Sequence, residues 1–294
     1  MGDQEFALER SWYVGNTIFA ILYGIELSMF FASTYLLLHC PQPSRTKMFY
    51  IAFSGTILVL ITIAMACNLF FGQMMWIDHR DFPGGPVGYF SANIAAWYNT
   101  FGTAADVAAN IMGDALMLHR CYVFWRPSYY IIIFPAMLFL SSAVMGIIAT
   151  IQSGLPGGDF FNGTAVNFAT PWLALTITFN VVATSLIIVR LVSALRSARV
   201  LGRERTQVYT GVIALLVQSA LPFSLLGIGY LATYVTNSPE SLAFAGIWGA
   251  FVALSPQAII LHIAMSSAWS SKNVTTDRDG TLHFVSKIDG TRTF

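Results

Sequence analysis

Three carboxylic acids stand inside stretches of the chain that are otherwise apolar: Glu26, Asp106 and Asp114. An ionisable group held in hydrocarbon is expensive, so each acid is a candidate for binding or proton chemistry. Around two of them the spacing is regular. Asn99, Thr103, Asp106, Asn110 and Asp114 recur at intervals of three or four residues, which on a helix aligns them on one face, and Cys121 continues that face. Such a face must turn toward a protein interior or a wet cavity. Glu26 and Asp106 are expected at similar depth, near mid-membrane, where no Lys or Arg falls. One reading is a site for a ligand, a cation or a proton, lined by Glu26, Asn99, Asp106, Asn110 and Asp114. The other is structural: hydrogen bonds between helices, with Asn68, Asn180, Gln218, Ser255 and Gln257 as partners.

The elements that carry these residues follow from composition. The chain of 294 residues is 56% hydrophobic and 10% charged, with a mean hydropathy of +0.65. A soluble domain carries about 25% charged residues, so lipid must cover much of this surface. At about 20 apolar residues per span, the length suits seven transmembrane helices with short loops. The expected fold is an all-α bundle with the N-terminus outside and the C-terminus cytoplasmic. Run lengths and breakers put the helices at about Tyr13–Leu38, Met48–Gly72, Asn93–Trp125, Ser128–Ile151, Pro171–Leu195, Thr206–Tyr234 and Leu242–Met265. Residues 1–12 form an extracellular N-terminus, 13–265 the membrane domain and 266–294 a polar, mobile cytoplasmic tail. Between Gln73 and Ala92 the density of proline and glycine, as in Pro83-Gly84-Gly85-Pro86, speaks against a regular helix. Pro222 and Pro256 are expected to kink their helices. Met1 to Arg10 lack the basic start of a cleavable signal, so the first apolar run is expected to remain as a helix.

Orientation comes from the basic residues. Of the 15 Lys and Arg, only Arg10 and Arg80 fall on one side; the loops after helices one, three and five, with the tail, take the rest. Asn162-Gly163-Thr164, a glycosylation sequon, falls on the poor side, as an outer loop requires. A second sequon, Asn273-Val274-Thr275, falls in the tail and should stay unused. Arg120, Arg196, Arg199, Arg203 and Arg205 gather on the rich side, where they could meet anionic lipid or a cytosolic signalling protein. Positive-inside bias alone accounts for them more simply. Cys40, Cys67 and Cys121 all avoid the outer side, so no structural disulfide is expected.

Several chemistries are excluded. The three lysines, Lys47, Lys272 and Lys287, lie outside the spans, so no retinal Schiff base can form in the last helix. Among the histidines only His262 is clearly within a span, which is too few for an intramembrane zinc hydrolase or a haem-carrying bundle. No Ser-His-Asp set or phosphate-cradling glycine loop is present. The expectation is therefore a protein that is not an enzyme, with no cofactor, no metal and no nucleic-acid partner.

The run Met75-Trp76-Ile77-Asp78-His79-Arg80-Asp81-Phe82-Pro83-Gly84-Gly85-Pro86 resembles a segment of a large group of seven-helix membrane proteins from mushroom-forming (basidiomycete) fungi. Tyr23-Gly24-Ile25-Glu26, His119-Arg120-Cys121-Tyr122-Val123-Phe124-Trp125 and Ala268-Trp269-Ser270 fit the same group, so the resemblance covers nearly the whole chain. It implies a receptor-like seven-helix plan and transfers no activity and no functional residue. An acid, Asp114, followed by Arg120 and Tyr122 is also similar to the acid-Arg-Tyr motif of rhodopsin-like receptors, but His119 directly precedes Arg120, so no receptor switch is carried over.

Three functions fit these observations. The first is a receptor-like plasma-membrane sensor of a small ligand, approached beneath the loop after helix two and coupled to a cytosolic partner by the basic connection before helix six. The second is a small-solute or proton transporter using the same carboxylates. The third is a non-catalytic membrane organiser. An interior cavity separates them: a pocket open to one side suits the sensor, a path through suits the transporter, and tight packing suits the organiser.

Overall fold

A computed structural model describes residues 3–39, 44–126, 128, 130–155, 166–198 and 203–279, with side chains for all of these except 3–5, 197–198, 203–216, 219 and 266–279. The described residues are helical, with no strand. The helices are α1 (Asp3–His39), α2 (Ser44–Gln73), α3 (Gly85–Asn93), α4 (Trp97–Phe124), α5 (Tyr130–Ser153), α6 (Val166–Ala198), α7 (Arg203–Val235) and α8 (Ser241–Asp279). A π-helical turn, Met74–Asp78, extends α2. All but α3 are long. The long helices close into a ring in the order α1, α2, α4, α5, α6, α7, α8 and back to α1, and α4 also reaches across to α8.

Five segments among the described residues are long and apolar enough to cross a membrane: Phe6–His39, Ser44–Asp78, Tyr130–Ser153, Val166–Arg196 and Ser241–Met265. This is the build of an integral membrane protein. The side chains agree. On α5, Ile133, Met137, Leu140, Val144, Ile147 and Ile151 are all more than half or half exposed along one outward face. A continuous apolar face of that length is what lipid covers. α4 is less apolar, because it carries the whole polar face from Asn99 to Asp114, and it compensates by packing against α2, α5, α6 and α8.

α1 joins the ring along a narrow stripe. Trp12, Phe19, Glu26 and Ser33 are buried at intervals of seven, which keeps one line of the helix against its neighbours. Close approach to α8 is set by Gly15 and Gly246: a Cβ at Gly246 would lie 2.9 Å from the Gly15 carbonyl oxygen, and one at Gly15 would lie 3.0 Å from Ala243 Cα. Farther along, Gln257 of α8 ties the three helices together. Its amide accepts from Ser54 of α2 at 2.5 Å and donates to Ser33 of α1 at 3.1 Å.

Several boundaries differ from the sequence reading. Residues 3–12, assigned to an N-terminal tail, form the first turns of α1, where Arg10 lies over the Phe6 ring at 4.8 Å and Trp12 packs on Phe71 and Phe90. The Pro/Gly-rich segment does contain a helix. Gly84 and Gly85 take positive φ of 85° and 67°, which turns the chain, and Pro86 then starts α3 where its missing N–H costs nothing. A second break at Ile94–Ala96 delays α4 to Trp97. α6 begins at Val166, before Pro171. α8 runs on past Met265 to Asp279; no proline or glycine falls between residues 266 and 279.

The α1–α8 contact makes the first prediction. Gly246→Val forces a side chain into the Gly15 backbone and should destabilise the protein by about 2 kcal/mol or more. Gly24→Ala, where a Cβ meets nothing within 4 Å, should leave the unfolding midpoint in detergent unchanged.

Candidate functional site

The polar face of α4 is divided by the structure into two parts. At the end of the bundle where α1, α4 and α8 begin, the π-turn and α3 fold across as a cap. Its core is Trp12, Phe71, Met75, Tyr89, Phe90 and Leu242, all buried. His79 stacks on Tyr89 at 4.9 Å, and the Tyr89 and Tyr98 hydroxyls meet at 3.4 Å. Directly beneath the cap is a cavity of about 110 Å³, and two of the cap residues, Trp12 and Leu242, are also part of its wall.

Asp106 lies in that wall, with Thr103 about one turn and Asn99 about two turns nearer the cap. Asn99 is held by its own amide, which donates to the Ile94 carbonyl at 2.6 Å and closes the break before α4; the Thr103 hydroxyl donates to the Asn99 carbonyl at 3.1 Å. α1 contributes Asn16 and Phe19, and α2 contributes Asn68. Gly249 of α8 comes close to Asp106: a Cβ there would lie 3.4 Å from Oδ2, in ordinary contact. Asp106 Oδ1 and Asn16 Nδ2 are wholly enclosed and have no hydrogen-bond partner among the described residues. Among the described residues, no Lys or Arg lines the cavity.

The rest of the wall is aromatic. Trp248 of α8 lies at the centre of a cluster, with ring centroids 5.8 Å from Trp172, 5.3 Å from Phe223 and 5.7 Å from Tyr230. Trp172, Tyr230 and Trp248 face the cavity, and Tyr230 is within electrostatic reach of Asp106. Glycines set these rings in place. A Cβ at Gly146 would lie 2.8 Å from the Trp172 indole nitrogen, and one at Gly227 would lie 3.0 Å from that of Trp248.

Two turns farther along α4 the chemistry is closed. The Thr176 hydroxyl is 2.6 Å from Asp114 Oδ2 and 3.1 Å from Asn110 Oδ1, and Asn180 Nδ2 donates to Asp114 Oδ1 at 3.4 Å. Asn110 and Asp114 are buried. The space beside them is about 20 Å³, room for about one water. Here the interhelical hydrogen-bonding alternative describes the residues, with α6 supplying the donors.

Glu26 is not brought to either group. It is 2% exposed, its Oε1 is enclosed without a partner among the described residues, and it lines neither cavity. Phe19 is the deepest α1 residue in the upper cavity, and Glu26 lies seven residues on, roughly 10 Å along the helix. Of the amides named as partners, Asn180 bonds Asp114 and Gln257 bonds Ser33 and Ser54, whereas Gln218 is exposed on α7. Arg196 is exposed. Arg120 is half-buried near Tyr50, with Nη2 enclosed and unpartnered among the described residues, and so is not on the same open surface. Arg203 and Arg205 begin α7, with side chains outside the described set; Arg199 and Asn162 lie outside the described residues. The aromatic wall was missed in the sequence, where Trp172, Tyr230 and Trp248 read as ordinary apolar positions. The glycines facing them were the available signal.

Compared with known proteins, the chain matches no family model and no curated protein sequence.

The closed group can be tested by itself. Thr176→Val removes the donor to Asp114 and should cost about 1–3 kcal/mol, read as a lower unfolding midpoint. Thr176→Ser should restore most of it.

Proposed function

We propose that this chain is a receptor-like, non-enzymatic sensor of a small ligand, spanning the plasma membrane seven times with its N-terminus outside and its C-terminus in the cytoplasm. The observation that carries this reading is the enclosed, unpartnered carboxyl of Asp106 in a cavity that lies under a cap at one end of the bundle. Ligand reaches Asp106 beneath the cap. Ordering or lifting of the cap alters Trp12 and Leu242, which belong to both cap and cavity, and so changes how α1 and α8 pack. At the other end, exposed Arg196 of α6, with Arg199 after it in sequence and Arg203 and Arg205 at the start of α7, offers positive charge to a cytosolic signalling protein. The side-by-side distribution of basic residues supports the orientation.

Transport is the weaker reading. A solute leaving Asp106 for the far end would have to break the Thr176 bonds to Asn110 and Asp114 and pass a space for about one water.

Asp106→Asn should abolish or shift a ligand-dependent response while leaving the amount of protein at the cell surface unchanged. Equal responses from both proteins would sink the sensor site. Proximity labelling from the C-terminus should recover a cytosolic signalling protein, and replacing Arg196, Arg199, Arg203 and Arg205 with Gln should reduce that recovery at least several-fold. For the orientation, deglycosylation should shift the wild-type chain and the Asn273→Gln variant on a gel but not Asn162→Gln.

A further inference from the structure

The cavity wall has a chemistry of its own, and it narrows the ligand. The wall holds a carboxyl oxygen with no donor among the described residues, and none of the described lining residues is Lys or Arg. The rings of Trp172, Trp248 and Tyr230 line the same cavity. A carboxylate repels anions. Aromatic faces attract cations through the ring quadrupole, most strongly when water is excluded. A neutral molecule would gain from the rings by apolar contact alone and would leave Asp106 without a counter-charge. We infer that the cavity takes a small organic cation, an ammonium group seated between Asp106 and the Trp172–Trp248–Tyr230 wall, and this rests on the reading of the cavity as a ligand site.

Size and the remaining lining agree. About 110 Å³ is of the order of the ~150 Å³ cavity that accepts benzene, so the cation is a compact amine or quaternary ammonium and not a peptide. The ammonium sits at the level of Asp106 and Gly249, which line the same cavity. Toward the cap the lining changes to Asn16, Asn68 and Asn99. The enclosed Asn16 amide nitrogen there lacks an acceptor, which suits a hydroxyl or carbonyl on the ligand's other end. The ligand therefore carries its charge at one end and a hydrogen-bond acceptor at the other.

The test uses a matched pair of probes, choline and 3,3-dimethylbutan-1-ol, which share a shape and differ in having nitrogen or carbon at the branched centre. Binding is followed by tryptophan fluorescence on the full chain in dodecyl maltoside micelles, a non-ionic medium without choline headgroups. Choline should bind saturably, and the alcohol at least about tenfold more weakly. Asp106→Asn should weaken choline by about tenfold or more and leave the alcohol unchanged, and Trp248→Leu should weaken choline more than the alcohol. The wild-type comparison needs no variant, so a folding defect in either mutant does not blunt it. Equal binding of both probes, or no choline binding up to about 10 mM, overturns the cation assignment. If choline binds but cells give no response, the sensor reading fails and the cation site stands. If choline does not bind and a response to some other compound still depends on Asp106, the site stands and the cation class falls.

Discussion

A polar side chain on a membrane helix has to find its partners inside the protein, because lipid offers none. Helix α4 carries five such residues on one face, and the arrangement of the bundle follows from where that face can go. It cannot face outward, so α4 packs against α2, α5, α6 and α8. The other helices are released to be apolar on their outer sides, as α5 is from Ile133 to Ile151. The partners that α4 needs are supplied unevenly. α6 brings Thr176 and Asn180 to Asp114. Nothing equivalent approaches Asp106, where α8 contributes Gly249 and the chain leaves a space instead.

That difference divides a single helix face into two parts. Asp114 accepts from two side chains, and its removal would be felt as lost stability. Asp106 accepts from none of the described side chains. Leaving a buried polar group unmade costs about 1–3 kcal/mol, more for a charge, and the cavity beside it is where compensation has to come from. Asp106, beside a cavity and an aromatic wall, therefore has a place for a partner that the chain does not provide. Glu26 has an enclosed oxygen too, but it lines neither of the two cavities described.

Much of this was legible in the residues. The interval of three and four from Asn99 to Asp114 shows one face, and the apolar runs show long helices, because both are local properties of the chain. The division of the face is not local. Asp106 and Asp114 are alike in sequence; they differ because Thr176 comes opposite one and Gly249 opposite the other. Glu26 looked like a companion to Asp106 by depth, and only the line Trp12, Phe19, Glu26, Ser33 on α1 shows that it has passed below the cavity. The cap was hidden for a different reason. Proline and glycine were read as breakers between Gln73 and Ala92, but Gly84, Gly85 and Pro86 set the turn and first position of α3. Pro171 is the opposite case: read as the start of a helix, it sits inside α6.

The central claim is that the space around Asp106 is reached from the capped end and sealed from the other. Single cysteines at Thr103 and at Asn180, introduced after Cys40, Cys67 and Cys121 are replaced, would test it with a membrane-impermeant thiol reagent applied separately to each side. Thr103→Cys should be modified from the capped side alone and Asn180→Cys from neither. Modification of Thr103→Cys from the other side, or of Asn180→Cys from either, would contradict this.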